Sequence, residues 1–131
     1  VIFFDKKLSK NFEFIRKQGM QLTSKMRFIS TQFQALLSNN LWLKNAKHAN
    51  DMTQILYDEI KGNSHITITQ KVQVNSIFAI LLKKHIKNLQ KKYFFHIFDE
   101  QRSEVRWMCS FNTNKKDVLN FAENIKLAFV K

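Results

Sequence analysis

The sequence predicts an α+β protein in which helices precede a small sheet that carries helices on one face. Apolar residues recur at helical spacing up to residue 61, which indicates amphipathic helices in the first part of the chain. After Gly62 the period changes to the alternation typical of strands, and strand-like and helical runs then interleave. With 131 residues, 44% hydrophobic content and 13 Phe, the chain can bury the core of about one domain.

The chain opens with VIFF, residues 1–4, which predicts a strand with neither a polar lead-in nor an initiator methionine. We therefore expect a fragment that enters a fold partway through. Leu8, Phe12 and Ile15 stand at helical spacing and predict a helix that Gly19 ends.

Two further helices are predicted before the period changes. Residues 26–37 predict an amphipathic helix, and the polar residues 38–40 can cap the next one. That next helix, residues 40–61, is the longest predicted element, and Gly62 suits the C′ position that ends it. Its predicted core-facing residues are Trp42, Ala46, Ala49, Met52, Leu56 and Ile60. Without a domain to cover them, the apolar faces of these two helices predict self-association.

The second half of the chain predicts short strands with two helices. The predicted strands are residues 66–68, 72–74, 76–82, 93–98 and 104–111. Residues 83–92 predict a short helix, and the polar residues 99–103 predict a hairpin connection. Asn114, with Asp117 three residues on, is expected to cap a final amphipathic helix.

A guanidinium stands in the middle of the last predicted strand, EVRWMCSF. Val105, Trp107, Cys109 and Phe111 alternate and predict the buried face, so Arg106 is expected on the opposite face. Spacing alone gives the arginine no role, because an arginine in a strand commonly reaches solvent.

The formal net charge is +12, with 22 Lys and Arg against 10 acidic residues. Such an excess can attract nucleic acid, anionic lipid or acidic substrates. The lysines are spread along the chain as pairs, however, so we prefer solvated faces to a binding stripe. A stand-alone basic module that contacts nucleic acid through Phe94, Phe95 or Trp107 is the alternative function.

Several classes of catalytic site have no signature in the sequence. There is no Walker loop, no G-x-G-x-x-G and no G-x-S-x-G. Cys109 is the only cysteine, so we exclude an intrachain disulfide, expect no zinc site and expect the thiol in the core. His48 is expected to face solvent, and His96 is expected to be a packed or edge-strand residue. No apolar run approaches the ~20 residues that span a bilayer, and we expect a soluble, cytoplasmic protein.

Three stretches carry a resemblance to a known family. They are IRKQGMQLTSKMRFISTQFQALL (15–37), LWLKNAKHANDM (41–52), and QVNSIFAIL (73–81) followed by EVRWMCSF (104–111). Together they resemble the C-terminal part of the pyridoxal-phosphate-dependent threonine aldolases, of the β-eliminating lyase family. The string R-K-Q-G-M-Q-L-x-S-K-M-R-F is the most specific part, because general helix physics would not produce it.

The resemblance implies the aspartate-aminotransferase-like fold, pyridoxal phosphate fold type I. Residues 1–39 would then end the large cofactor-binding domain, residues 40–62 would form the long connecting helix, and residues 63–131 the small domain. The complete enzyme would cleave L-threonine or L-allo-threonine to glycine and acetaldehyde. It would be a cytoplasmic homo-oligomer, a dimer or tetramer, with no nucleic acid or membrane as partner.

The resemblance also implies roles for individual residues. Arg106 matches the arginine that binds the substrate carboxylate, and Lys25 and Arg27 match a basic segment near the cofactor phosphate. Asn75 is a weaker candidate, in a strand that lines the domain junction. The cofactor lysine and the glycine-rich phosphate loop belong to an earlier part of such enzymes. We therefore expect no catalytic residue here and no activity of this piece alone, which could also be a non-catalytic partner of an intact aldolase.

Overall fold

The structure is a computed structural model that describes residues 2–19 and 23–129. The chain divides into two compact units, Val1–Leu41 and Trp42–Lys131, which we call the first and the second unit.

The first unit is helical in the residues described. Its helices are α1 (Lys6–Ser9), α2 (Phe12–Gly19) and α3 (Met26–Leu37). The carboxylate of Asp5 caps α1, because its Oδ1 accepts a hydrogen bond from the backbone N–H of Lys7 at 2.8 Å. The helix predicted to end at Gly19 is thus present with a break after Ser9, and the helix predicted over residues 26–37 is confirmed.

The strand predicted for residues 1–4 is wrong for residues 2–4, and Val1 lies outside the described residues. A strand needs a neighbour for its backbone hydrogen bonds, and the described residues of the first unit contain no other strand. Phe3 instead packs its ring against Phe12, with the ring centroids 4.9 Å apart. Local apolar sequence was not sufficient to make a strand here.

Many apolar side chains of the first unit are exposed to solvent, and none of the described residues in α1, α2 or α3 is buried. Phe14 is 65% exposed and Phe28 is 71% exposed. Ile15, Phe33 and Leu37 are exposed as well. The helices of this unit are amphipathic, yet within the described chain their apolar faces remain largely uncovered.

A short 3-10 turn, Ser38–Asn40, precedes the long helix α4 (Leu41–Ile60). Asn39 and Asn40 have φ values of 53° and 57°, a left-handed conformation that asparagine tolerates better than most residues. Gly62 follows α4 with φ +83°, as predicted for the residue that ends the helix.

Helix α4 contains buried residues only from Ala49 onward. Ala49, Met52, Leu56 and Ile60 of the predicted stripe are buried at spacings of three and four residues. Trp42 and Ala46 were predicted to belong to the same buried stripe, but both are exposed.

The second unit contains a four-stranded sheet in the order β1-β2-β4-β3, with every neighbouring pair antiparallel. Its strands are β1 (Thr67–Ile68), β2 (Ser76–Ile80), β3 (His96–Asp99) and β4 (Glu104–Met108). The strand predicted at residues 72–74 is wrong, because these residues belong to the loop that reverses the chain between β1 and β2.

The predicted hairpin between the last two strands is confirmed, since β3 pairs with β4. The Oδ1 atom of Asp99 accepts hydrogen bonds from the backbone N–H groups of Gln101 and Arg102 in the connection. The last strand ends earlier than predicted, and Phe111 is 65% exposed rather than buried. The chain turns there, with the Ser110 N–H donating to the hydroxyl of Thr113.

The sheet has one covered face and one open face. On the covered face Ile77 pairs with Trp107 and Ala79 pairs with Val105, and all four residues are buried. We define the open face by Ser76, Phe78, His96, Arg106 and Met108, which alternate with the covered residues along β2, β3 and β4.

Three helices of the second unit cover the same face of the sheet, as predicted. These are α4, α5 (Lys83–Gln90) and α6 (Lys115–Leu127). Their buried residues join those of the strands in one core, to which the helices contribute Met52, Leu56, Ile60, Ile86, Leu89, Val118, Ala122 and Ile125. The predicted cap of α6 is confirmed, because Oδ1 of Asn114 accepts from the N–H of Asp117 at 2.9 Å.

Candidate carboxylate-binding site

Arg106 lies at the centre of β4, which has a strand on each side. Its cross-strand partners are Phe78 on β2 and His96 on β3, so the three side chains form a row across the open face. The Arg106 side chain is half-buried. A side chain rooted in an inner strand has a stiff support, which a binding group needs.

Two neighbours on β2 contact the guanidinium. The Nε–H of Arg106 donates to Oγ of Ser76 at 3.4 Å, a long and therefore weak hydrogen bond. The guanidinium carbon lies 5.8 Å from the ring centroid of Phe78, within the range of a cation–π contact. Phe78 in turn packs edge-on against Phe98, with the centroids 4.9 Å apart.

No acidic side chain in the described chain forms an ion pair with Arg106. The nearest acid along the strand, Glu104, is 3% exposed and lies 3.6 Å from Arg102, and the hydroxyl of Thr69 also donates to it. Glu104 is therefore occupied elsewhere. The charge of Arg106 is not neutralised by a partner within residues 2–19 and 23–129, which leaves it able to bind an external anion.

Lys25 and Arg27 lie at the start of α3, in the first unit. Lys25 occupies the N-cap position without a side-chain cap, Arg27 is in the first turn, and both side chains are exposed. A helix start offers free backbone N–H groups and the positive end of the helix dipole, and two cations add to it. This arrangement fits a phosphate group. Lys25 and Arg27 thus belong to the first unit, whereas Arg106 belongs to the second.

Asn75 does not present a free carboxamide. Its Nδ2 donates to the carbonyl of Cys109 at 2.8 Å, and the Cys109 N–H donates to the carbonyl of Asn75 at 3.1 Å. These two hydrogen bonds extend the pairing of β2 with β4 beyond Ser76. A structural role explains this residue.

The histidines differ from expectation in one case. His48 was expected to face solvent, but it is half-buried and its Nε2 lies 2.7 Å from the carbonyl oxygen of Thr113. The helix position of His48 did not reveal this contact, which is made 65 residues further along the chain. Within the described ranges, no three His, Cys, Asp or Glu residues are grouped as metal ligands.

The open face contains three residues whose closeness to Arg106 the sequence did not reveal. Ser76, Phe78 and His96 come from two other strands, and only the register places them beside the guanidinium. His96 is exposed and contacts the ring of Phe94. Alternation along β2 indicated that Ser76 and Phe78 share a face, but it could not show that Arg106 lies beside them.

The aromatic residues proposed to contact nucleic acid are mostly unavailable. Trp107 is 2% exposed and Phe95 is 8% exposed, whereas Phe94 is 90% exposed. Base stacking needs an accessible ring face, so the role proposed for Trp107 and Phe95 is wrong. Among the residues described, no helix is both long and apolar enough to cross a bilayer.

The chain is similar in sequence and in structure to proteins named threonine aldolases. No protein-family model matches the chain. A low specificity L-threonine aldolase from a Pseudomonas species is 32% identical over 127 residues, covering 96% of this chain and 36% of that protein. The Pseudomonas aeruginosa protein of the same name is 30% identical over 128 residues, covering 97% and 37%. A solved threonine aldolase from Leishmania major matches with a TM-score of 0.66 and 25% identity, over 74% of this chain and 29% of that one.

The open-faced sheet with its helices and the structural match show that the chain has part of the aminotransferase-like fold, pyridoxal phosphate fold type I. Over nearly all of its own length the chain is similar to part of the threonine aldolases. It spans little more than a third of the length of the curated relatives that it matches.

The burial of Cys109 predicts how the stability of the chain depends on pH. Cys109 is 4% exposed, and burial raises the pKa of its thiol, while a hydrogen bond with Thr53 opposes part of that rise. The folded chain therefore keeps a proton that the unfolded chain releases above pH 9.0, the ordinary pKa value. We expect the free energy of unfolding to fall as the pH rises beyond that value.

The measurement is urea unfolding at pH 8 and pH 10 for the native chain and for Cys109→Ala. The native chain should lose more stability between the two pH values than the variant does. Equal losses would show that other groups cause the pH dependence.

Proposed function

We propose that the chain is the C-terminal part of a pyridoxal-phosphate-dependent threonine aldolase-like lyase. In its complete form such an enzyme would cleave L-threonine or L-allo-threonine to glycine and acetaldehyde. The observation that carries this proposal is Arg106, held at the centre of an open sheet face without an acidic partner in the described chain. The family relationship over nearly all of the chain supports it.

The proposed task of Arg106 is to bind the carboxylate of the amino-acid substrate. A guanidinium is planar and can give two parallel N–H···O bonds, which fix both the position and the tilt of a carboxylate. Fixing the carboxylate orients the bond between the substrate's Cα and Cβ atoms for cleavage. Lysine, a point charge on a flexible stem, would hold the carboxylate without setting its tilt.

The proposed task of Lys25 and Arg27 is to bind the phosphate of the cofactor. Pyridoxal phosphate, when bound, supplies the conjugated ring that accepts electrons during cleavage of a carbon–carbon bond. The residues of this chain would bind and orient, while the lysine that anchors the cofactor is expected in a segment outside it. The chain alone should then be inactive.

The domain assignment drawn from the sequence also belongs to this proposal. Residues 1–39 would end the large domain, residues 40–62 would form the connecting helix and residues 63–131 the small domain. A cytoplasmic location stays a prediction. The nucleic-acid alternative loses support, because two of the three aromatic residues on which it depended are buried.

A homo-oligomer is the proposed assembly of the complete enzyme, and for this chain by itself the first unit predicts self-association. Its exposed apolar residues, such as Phe28 and Phe33, need a covering surface in water. We expect the chain to self-associate, which light scattering coupled to size exclusion would detect. Phe28→Gln together with Phe33→Gln should shift the distribution toward monomer, and a monodisperse monomer of the native chain would contradict this proposal.

The carboxylate role of Arg106 can be tested in a chimera. The chain replaces the matching segment of the Pseudomonas relative, and threonine cleavage is measured for the chimera and its Arg106→Ala variant. Loss of a charged hydrogen-bond donor, worth ~1.5–3 kcal/mol, should raise KM for threonine roughly 10- to 150-fold. Arg102→Gln is the matched control, because this exposed arginine of the same hairpin contacts Glu104 instead. An unchanged KM in Arg106→Ala would remove the carboxylate role.

The phosphate role of Lys25 and Arg27 predicts a different signature in the same chimera. Lys25→Gln with Arg27→Gln should weaken pyridoxal phosphate binding by roughly 10-fold or more, because charge-assisted contacts to the phosphate are lost. The KM for threonine at saturating cofactor should change little. Cofactor absorbance during titration gives the affinity, with Lys17→Gln in α2 as the control. Unaltered cofactor affinity in the double variant would exclude the role.

A further inference from the structure

The neighbours of Arg106 occupy one edge and one face of its guanidinium. The Nε–H on one edge donates to Ser76, and the face of the group lies against the ring of Phe78. The two Nη atoms make no hydrogen bond or ion pair with any part of the chain that the structure describes. The group is therefore restrained on one side and open on the other.

We propose that Ser76 and Phe78 are positioning residues that select the Nη1–Nη2 edge of Arg106 as the carboxylate-binding edge. This inference rests on the proposed carboxylate role of Arg106. A guanidinium can bind a carboxylate side-on, through Nε and one Nη, or end-on, through both Nη atoms. Because Ser76 accepts from Nε at 3.4 Å, side-on binding would have to replace that hydrogen bond, which is weak. The end-on approach leaves it intact.

The two positioning residues are themselves well held. Ser76 is 5% exposed and lies in β2, where it pairs with Met108 of β4. Phe78 pairs directly with Arg106 in the register, and its ring packs edge-on against Phe98. The pairing of β2 with β4 fixes the backbone of both residues beside Arg106.

The energetic benefit of such restraint is entropic. A free arginine side chain samples many rotamers, and part of this rotamer entropy is lost when a ligand orders it. A guanidinium already ordered by Ser76 and Phe78 loses less on binding, so the carboxylate is bound more tightly. The cost of ordering falls on folding rather than on binding.

The first part of the test asks whether the guanidinium is held in the absence of a ligand. The chain contains four arginines, so the Nε–Hε cross-peak of Arg106 in a ¹⁵N spectrum can be assigned by its loss in Arg106→Lys. The ring current of Phe78 should change the chemical shift of this cross-peak. Phe78→Leu should remove that change, whereas Phe78→Tyr should keep it. Ser76→Ala should speed solvent exchange of Hε, whereas Ser64→Ala, in an exposed loop, should not.

The second part measures binding of sodium acetate, with sodium chloride at the same ionic strength as the reference. Acetate should shift the Cζ and Nη signals of Arg106 in a saturable manner and leave its Nε–Hε exchange slow. Ser76→Ala and Phe78→Leu should each weaken acetate binding by roughly 3- to 10-fold. Phe78→Tyr and Ser64→Ala should bind as the native chain does, and the Trp107 indole signal reports that each variant remains folded.

The outcomes separate this inference from the proposed function. If acetate binds at Arg106 with the same affinity in Ser76→Ala and Phe78→Leu, the positioning role is overturned and the carboxylate role stands. If acetate speeds Hε exchange or shifts the Nε signal most, binding is side-on and the proposed edge is wrong. If the native chain gives no response to acetate at Arg106, the carboxylate role fails, and this inference fails with it.

Discussion

The pairing of β2 with β4 is the constraint on which the rest of the second unit depends. It sets Ile77 opposite Trp107 in the core and, one residue on, Phe78 opposite Arg106 on the open face. Because side chains alternate along a strand, a slip of one residue would exchange the two faces. The buried indole of Trp107 would then meet water and the guanidinium would enter the core. Burial of Ile77 and Trp107 therefore fixes Phe78 and Arg106 on the open face.

The core makes that register costly to change. Trp107 packs edge-on against Phe121 with the centroids 5.6 Å apart, and against Phe95 at 6.1 Å. Buried residues of α4, α5 and α6 fill the same cluster. Displacing an aromatic residue of this size from a packed interior costs several kcal/mol, on the order of 3–5 for truncation to Ala. The helices thus hold the open face in register without contributing a residue to it.

Much of this arrangement could be predicted from the sequence, because it depends on local signals. The period of α4, the glycine that ends it, the Asn114 cap and the hairpin before β4 all follow from residues a few positions apart. The alternation around Arg106 also gave its face correctly. The wrong predictions concern features that depend on residues far apart in the sequence. The segment at residues 2–4 has no neighbouring strand among the described residues of its unit, and His48 contacts the carbonyl oxygen of Thr113. The register of the strands places the neighbouring residues beside Arg106, and no short stretch of sequence encodes that register.

All strands that frame Arg106 lie between Thr67 and Met108, and the helices that support them lie between Leu41 and Leu127. The surroundings of the guanidinium therefore come from one continuous stretch of the chain. Recombination upstream of the codon for Leu41 could attach this stretch to a divergent partner sequence and leave the surroundings of Arg106 intact. During evolution the sequence before Leu41 could in this way be replaced while the second unit is inherited with its fold intact.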